Sequence, residues 1–517
     1  MDAYSGNPAR HKSFLWRRLQ VTTEVTPHND PDAPRPRRVR YEQARVLGGG
    51  SSINGMLATR GSSEDYDDWE ARGATGWCWD SVLPFFKKIE RDIDFDGPLH
   101  GSEGCIPVSR VFPDNWSHLA RAVADSLECK GFTYLADQNA EFVDGYYPVA
   151  MSNLHGRRVS AATGYLGADV RQRGNLSIST NTHVCNLIFE DTRCVGVRAI
   201  AGQQETEFRG REVILCSGAI HSPAILLRAG IGPIAHLRQM GIPVRAHVPG
   251  VGQGLTDHPS ISVAAYVKPH ARSILPRKPT CLLGLRFSSG LAGTSGGDMA
   301  LTVASGIRHR IAQMTVCVNK TLSESGQVRL ASADWRDEPE VDFNLLKDQR
   351  DLTRLANAFR LIATLHDLPA MQAVTSDPFP TSYTNKVRDV TDVSLTSGLK
   401  VAVGSRLLDG PGLLRRFLIR RFAMESAGIQ QLLRDEEMLE TYLRQTAVGV
   451  WHCSCSCRMG SEENPMAVTD PSGQVRGVYG LRVVDASIFP GIPSANTNFP
   501  TMMVAEKIAD HIVNAGS

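Results

Sequence analysis

Arg45-Val-Leu-Gly-Gly-Gly-Ser-Ser-Ile-Asn-Gly55 is a turn without bulk, rich in backbone N–H groups, and it suits close approach to a phosphate-bearing ligand. A second set of residues lies far along the chain. Trp451-His452 is followed by the strand-like Leu481 to Val484, by Asp485-Ala486-Ser487, and by Asn496-Thr497-Asn498-Phe499-Pro500-Thr501. This set supplies an imidazole base and a carboxamide able to meet at one reacting atom. Together the two stretches point to a redox cofactor site with acid/base chemistry.

Around these stretches the pattern alternates strand, turn and helix. Glu212-Val-Ile-Leu-Cys216 has the length and composition of a buried strand and runs straight into Ser217-Gly218-Ala219. Ser222 then offers an N-cap, Pro223 a first helical position and Gly230 a stop. Such a unit puts a helix N-terminus beside a ligand phosphate or carbonyl. The pattern recurs at Leu481 to Val484, followed by a helix over Thr501 to Val513 with Ala505, Ile508, Ala509 and Ile512 as its buried stripe. Earlier in the chain, Asp80 or Ser81 caps a helix with Pro84 in its first turn, and the helix ends near Glu90. From about Ser260 to Met438 the texture changes to short alternating segments such as Gln327-Val-Arg-Leu330. An amphipathic helix there carries Leu355, Ala358, Phe359, Ile362 and Leu365. The middle therefore reads as a sheet-based domain inserted into the first.

The length of 517 residues makes two or more domains the default, and 42% hydrophobic content with 21% charge describes an ordinary globular protein. A net charge of +2 gives no drive toward nucleic acid. The eleven cysteines form no compact even-numbered framework, so they read as reduced, buried small hydrophobes in a reducing, cytoplasmic setting. Met1-Asp2-Ala3-Tyr4-Ser5-Gly6-Asn7-Pro8 has no apolar signal region, and no stretch approaches the roughly 18 apolar residues of a membrane span.

With these residues in view, the chain resembles the glucose-methanol-choline (GMC) family of flavin oxidoreductases, in particular its bacterial alcohol and choline dehydrogenase-like branch. Arg45 to Gly61 with Asp65-Tyr66-Asp67-Asp68-Trp69 is similar to the family's first signature. Gly218-Ala219-Ile220-His221-Ser222-Pro223 through Gly230-Ile231-Gly232 resembles the second. Pro249-Gly250-Val251-Gly252 with Asp257-His258-Pro259, Trp451-His452 with Cys457-Arg458-Met459-Gly460, and Val484 to Ser487 with Asn496 to Thr501 complete the likeness. It implies an α/β fold with an α+β insert: a discontinuous Rossmann-like FAD-binding domain over 1–259 and 439–517, and a substrate-binding domain over 260–438.

Three departures from the family pattern stand out. A strand, G-x-G-x-x-G turn and helix normally opens the family, and none is found before Arg45 or elsewhere, so the first βαβ unit is expected to be missing, through a true loss or a misassigned start. Cys455 and Ser456 stand where the family usually has Gly and Thr. Gly254 stands where it usually has Asn.

The resemblance implies FAD as cofactor and oxidation of an alcohol CH–OH group to an aldehyde or ketone. It makes His452 the general base and Asn496 the residue that orients the substrate oxygen. By position alone a His after a Trp is more often a core residue, and Asn-Thr-Asn-Phe-Pro equally suits a tight loop. The same resemblance lays Gly48, Gly49, Gly50, Ser51, Asn54 and Gly55 along the flavin, Val184 near the adenine, and Asp485 and Ala486 near the pyrophosphate and ribityl chain. Ser217 and Gly218, with Thr497, Pro500 and Thr501, are expected on the cofactor as well. A helix starting near Thr501 presents about half a positive charge to a reduced flavin.

Other features carry weaker readings. Gly293-Thr294-Ser295-Gly296-Gly297 matches a hydrolase nucleophile pattern without a strand leading in. Cys453, Cys455 and Cys457 alternate, which on a strand would put three thiols on one face, yet the spacing is poor for zinc and no metal is expected. Leu413-Leu-Arg-Arg-Phe-Leu-Ile-Arg-Arg-Phe422 is a basic amphipathic run that covers its own domain or rests on a membrane surface. The expected partners are a small alcohol and an electron acceptor: oxygen, a quinone or a soluble carrier. The alternatives are a remnant that no longer keeps FAD, or a lyase reusing the same His and Asn.

Overall fold

In the strand Pro259–Val267, Ile261, Val263 and Val267 alternate with Ser260, Ser262 and Ala264, and this period of two fixes the architecture of half the molecule. The computed structural model describes residues 12–25, 36–272, 281–306, 310–381, 404–424 and 427–515. Pro259–Val267 pairs antiparallel with Ile311–Val318 and Thr375–Thr381, and the sheet continues through Met299–Gly306, Cys281–Phe287 and Gly145–Pro148. Its apolar face carries Val263, Val303, Met314 and Val316, and packs against the helix Gln349–His366 through Leu352, Leu355, Phe359 and Ile362. Asp348 caps that helix by accepting from the Arg350 N–H. Phe359 is fully buried, so truncating it to Ala would cost about 3–5 kcal/mol.

A second core holds the other half. Val213–Leu215 and Leu481–Val483 form a parallel pair, Val213 opposite Leu481. The helices Ser63–Ala71, Trp79–Ile89 and Asn498–Ala515 pack beside them around Trp69, Trp77, Phe86 and Phe489. The C-terminal helix begins three residues before the expected Thr501. Its buried side is Met502, Met503, Val504 and Ile508, whereas Ala509 is exposed. Of the expected stripe, Ile508 is buried and Ala505 and Ile512 pack against the core, so Ala509 alone departs from it, and the first turns add Met502, Met503 and Val504. Before Arg45, Gln20–Thr22 and Arg38–Arg40 pair antiparallel and join a five-stranded sheet with Gln253–Leu255, Gly326–Arg329 and Glu340–Asp342.

The basic run forms the helix Gly412–Phe422. It seats Ile419 against Tyr266 and Phe379 and leaves Leu413 and Phe417 exposed. Among the described residues no helix is long and apolar enough to cross a membrane.

A buried ionic network braces the ground beneath the site. Arg60 pairs with Glu90, Arg110 with Asp92 at 2.9 Å and Asp137 at 3.0 Å, and His100 Nε2 with Asp137 at 2.6 Å. Glu90, Asp92 and His100 stand close enough to hold an ion. Three cations already face the three carboxylates, so a divalent ion there would add uncompensated charge. Burial alone would lower the His100 pKa, but Asp137, Asp92 and Glu90 override it and raise the imidazole to about 10.

A raised folded-state value means that His100 contributes stability fully present below its unfolded value of about 6.5 and lost as pH rises toward 10. Denaturant midpoints of wild type and His100→Gln should therefore converge between those limits. A difference independent of pH would contradict the network.

Candidate active site

The short strand Val448–Gly449 pairs with Pro259 and Ser260, so the residues leaving each strand, Trp451-His452 and Asp257-His258, meet. Asp257 is fully buried and holds the junction. Its Oδ1 accepts from the backbone N–H of His452 at 3.0 Å, Val450 at 3.1 Å and His258 at 2.8 Å, and its Oδ2 accepts from the Tyr41 hydroxyl at 2.6 Å. Burial pushes the carboxyl up to about 6 against the pull of those donors. A Cβ on Gly449 would overlap the carboxylate, which accounts for glycine there.

The loop carrying Asn496 is tied down from several sides. Asp65 accepts from the Ser494 N–H at 2.9 Å and from Lys320 at 2.7 Å, and the Trp69 indole donates to the Gly491 carbonyl at 2.9 Å. Asn496 N–H donates to Thr59 Oγ1 at 2.8 Å, and the Thr59 hydroxyl donates back to Asn496 Oδ1 at 3.0 Å.

These anchors bring three side chains into one line. His258 Nε2 lies 3.1 Å from the Pro493 carbonyl, His258 Nδ1 lies 2.9 Å from His452 Nδ1, and His452 Nε2 lies 3.0 Å from Asn496 Nδ2. A carbonyl can only accept, so His258 carries its proton on Nε2 and offers a lone pair at Nδ1. His452 Nδ1 must then be the donor, which leaves Nε2 as the lone pair. Asn496 is oriented to match, with its oxygen on Thr59 and its NH2 toward that lone pair. Burial, with the neighbouring His258 ring, holds the His452 pKa well below its ordinary value; burial pushes His258 down to about 4. Both rings are neutral at pH 7, and His452 Nε2 is a base whose tautomer is set by its surroundings. His452 and Asn496 are thus brought together as expected. His258, Asp257 and Thr59 were not read as site residues; the Asp257-His258-Pro259 segment was the only signal that pointed there.

The glycine turn presents backbone outward. Gly48 has φ of 87° and Gly49 of 55°. A Cβ on Gly48 would crowd Ser52 and Ala162, whereas on Gly49 or Gly50 it would meet nothing within 4 Å. Ser51 and Asn54 turn inward: the Ser51 hydroxyl donates to the Gly48 carbonyl and accepts from the Ala161 N–H, and Asn54 Oδ1 accepts from Arg158 at 2.7 Å. Burial pushes the Arg158 guanidinium down to about 10. Gly55 is fixed by Leu57, which a Cβ would crowd. Val184 is half-buried on the strand Thr182–Glu190.

The helix after Val213–Leu215 begins at Gly218, not at Pro223. Ser222 does not cap it from outside; its hydroxyl accepts from the Ser217 N–H at 3.0 Å and donates to Asp485 Oδ2 at 2.6 Å. Pro223 lacks the N–H that would bond the Ala219 carbonyl, and the Ser456 hydroxyl donates to that carbonyl instead, at 2.5 Å. Asp485 is spent within the protein, accepting also from the N–H groups of Gly218 and Ser487. Ala486 accepts from the Cys455 N–H through its carbonyl, and Thr497 accepts from the N–H and hydroxyl of Thr501 across the first turn that contains Pro500. Cys453, Cys455 and Cys457 share no strand face, because Cys455 has φ of 70°; burial pushes all three thiols up, so they stay protonated. Gly293 to Gly297 lies in the connection between two sheet strands.

Several observations fit a large elongated cofactor such as FAD. Gly49, Gly50 and Gly218 have open space where a side chain would be, and Ile214 and Cys216 are exposed on the strand beside them. Asn498 Nδ2, at the N-terminus of the C-terminal helix, is buried and has no hydrogen-bond partner among the described residues, a donor that an acceptor on the cofactor would satisfy.

A mixed α/β half joined to a sheet half, with an imidazole and a carboxamide at the junction, is compatible with a flavin-type oxidoreductase. The chain belongs to the GMC oxidoreductase family: the family's N-terminal model matches residues 23–260 and its C-terminal model residues 322–505. The first match begins at residue 23, so the expected lack of an N-terminal unit draws no support from it. A 5-(hydroxymethyl)furfural oxidase of Methylovorus sp. (strain MP688) is 42% identical over 92% of this chain and 83% of its own length. An oxygen-dependent choline dehydrogenase of Vibrio vulnificus (strain YJ016) is 30% identical over 92% and 82%. The solved pyridoxine 4-oxidase from Mesorbium loti superposes with a TM-score of 0.78 at 22% identity, covering 98% of this chain and 91% of that one. The chain is accordingly an FAD-dependent enzyme acting on CH–OH donors.

The two local departures from the family pattern have physical reasons. Gly254, in place of Asn, has φ of 75°, a region open to both residues, and a Cβ there would press on the Arg458 guanidinium. Ser456 keeps the hydroxyl that a Thr would offer to Ala219. Ser456→Ala should lower unfolding stability by about 1–3 kcal/mol, because the carbonyl is left buried and unpaired. Cys455→Gly should change it less, because relief of positive φ is offset by the loss of a fully buried thiol and by the freedom of glycine in the unfolded chain. Urea unfolding measures both; equal midpoints for all three proteins would contradict this account.

Proposed function

We propose that His452 is the general base of the reaction, that Asn496 orients the alcohol oxygen, and that the substrate is a small primary or secondary alcohol oxidised to an aldehyde or ketone. The observation carrying this reading is the tautomer chain: a neutral His452 with its lone pair at Nε2, beside an amide N–H that can be shared with a substrate oxygen. In the reaction His452 Nε2 takes the hydroxyl proton while Asn496 Nδ2 donates to the same oxygen. His258 Nδ1 keeps its hydrogen bond from His452 Nδ1–H and steadies the imidazolium that forms. FAD, when bound, accepts the hydride from the carbinol carbon.

The residues proposed to hold the cofactor are the turn from Gly48 to Gly55, Val184, Ser217 and Gly218, Asp485 and Ala486, and Thr497, Pro500 and Thr501, with the Asn498 amide as a further donor. Recognition of substrate is assigned to the domain over 260–438, between the two cofactor-binding parts over 1–259 and 439–517. Oxygen is the proposed electron acceptor, in keeping with the names of the furfural oxidase and the oxygen-dependent choline dehydrogenase. The exposed Leu413 and Phe417 beside Arg416 favour a quinone at a membrane surface as the second reading. The protonated thiols fit a cytoplasmic setting.

Retention of FAD without a G-x-G-x-x-G finger among the described residues is part of the proposal. A chain that stays colourless through gel filtration after incubation with FAD would favour the remnant reading and overturn this one. His452→Ala should lower kcat/KM for alcohol oxidation by about 10²–10⁴-fold with flavin content unchanged; undiminished turnover would remove the base. Because the pKa is depressed, the base is already unprotonated at neutrality. The acid limb of the kcat/KM profile should therefore lie below about pH 6.5. A limb at or above that value would contradict the burial of a neutral imidazole.

A further inference from the structure

The large antiparallel sheet has two unlike faces. One is apolar and closed by the helix Gln349–His366. On the other, Thr302, Gln313, Thr315 and Cys317 are half-buried while their strand neighbours Leu301, Val303, Met314 and Val316 are buried. This second face belongs to the site: Ser260 and Ser262 alternate onto it in register with His258, whose ring meets His452, and Ser260 pairs with Cys317. Among the described residues, helix Gly412–Phe422 covers its far end, through Ile419 on Tyr266 and Phe379.

Between that end and His258 three polar side chains form one cluster, in which Ser262 is buried and Gln313 and Thr315 are half-buried. Ser262 Oγ lies 2.9 Å from Thr315 Oγ1, and Gln313 Nε2 donates to Ser262 Oγ at 2.9 Å and to Thr315 Oγ1 at 3.1 Å. Counting protons shows what is left over. The two amide protons are spent on the two hydroxyl oxygens, and one hydroxyl proton is spent between Ser262 and Thr315. One hydroxyl proton and the Gln313 carbonyl oxygen remain without a partner among the described residues. A strand rise of about 3.3 Å per residue puts the Ser262 backbone roughly 13 Å from that of His258, within the reach of one small substrate between facing side chains.

The charge pattern narrows the ligand. This polar stretch carries no carboxylate among the described residues, and the aromatic rings Tyr266 and Tyr147 at its edges are already used by guanidinium groups. Arg415 stands over Tyr266 at 4.1 Å, and Arg286 stands 5.8 Å from the Tyr147 ring. A quaternary ammonium group would find neither a counter-ion nor a free aromatic face.

We propose that Ser262, Gln313 and Thr315 bind a second, uncharged polar group of the substrate, so that the preferred substrate is a neutral alcohol bearing a further hydroxyl or carbonyl. The proposal rests on His452 being the base that receives the reacting hydroxyl. The cluster offers the second group one donor and one acceptor, which suits a hydroxyl fully and a carbonyl by half, and offers a trimethylammonium group nothing.

The test compares 1,4-benzenedimethanol with benzyl alcohol, which lacks the second hydroxyl, and with choline. Wild type should favour the dimethanol, and Gln313→Ala or Ser262→Ala should lower its kcat/KM roughly tenfold while leaving benzyl alcohol unchanged; the unchanged value also shows that the variants fold. Equal losses on both aromatic alcohols, or a wild-type preference for choline, would overturn the proposal. Binding is read separately by calorimetry with the dimethanol and benzyl alcohol in a His452→Ala background. There the Gln313→Ala change should erase the preference for the dimethanol, and a preserved preference would overturn the cluster's role. If wild type turns over none of the alcohols while the binding preference depends on Gln313, the base assignment fails and the recognition site stands.

Discussion

A single buried carboxylate holds together the junction where His258 and His452 meet. Asp257 accepts from three backbone N–H groups and one phenol, and in doing so it fastens the chain entering the sheet domain to the chain leaving it. Each hydrogen bond to a charged acceptor contributes about 1.5–3 kcal/mol, enough to hold His452 against the strain of positive φ at Trp451. Without it the two imidazoles would have no reason to meet. With it, the Pro493 carbonyl at one end and the Thr59 hydroxyl at the other fix every proton between them.

Such a line of neutral hydrogen bonds suits an oxidoreductase that must accept a proton without carrying charge beforehand. An imidazolium in this buried place would be costly and would leave no lone pair at His452 Nε2 to serve the proposed base. Burial removes that charge, and His258 removes the ambiguity of which nitrogen holds the proton. The sheet serves the same end at longer range. Its apolar face packs on the helix Gln349–His366, and its opposite face carries the small, uncharged Ser260 and Ser262 in register with His258.

Much of this was legible in sequence wherever pattern and chemistry coincide. The Gly48 to Asn54 turn, the two parallel strand segments and the His452 and Asn496 pair were found from residue type and spacing, and the likeness to the GMC family joined them. The start of the helix at Gly218 was not legible, because Pro223 normally begins a helix and the Ala219 carbonyl it leaves unbonded is satisfied by Ser456, more than two hundred residues away. Asp257, His258 and Thr59 escaped for a similar reason: their roles come from contacts between distant segments, which no local period records. Whether Cys453, Cys455 and Cys457 share a face is not legible either, because alternation in sequence does not record that Cys455 is held at positive φ.

The central claim is that His452 is neutral, with its proton on Nδ1 and its lone pair on Nε2. Nitrogen-15 NMR of the ring, in protein loaded with FAD at pH 7 and assigned with a His452→Ala control, reads this directly. The account predicts a protonated Nδ1 and an unprotonated Nε2 for His452; an imidazolium, or the proton on Nε2, would contradict it.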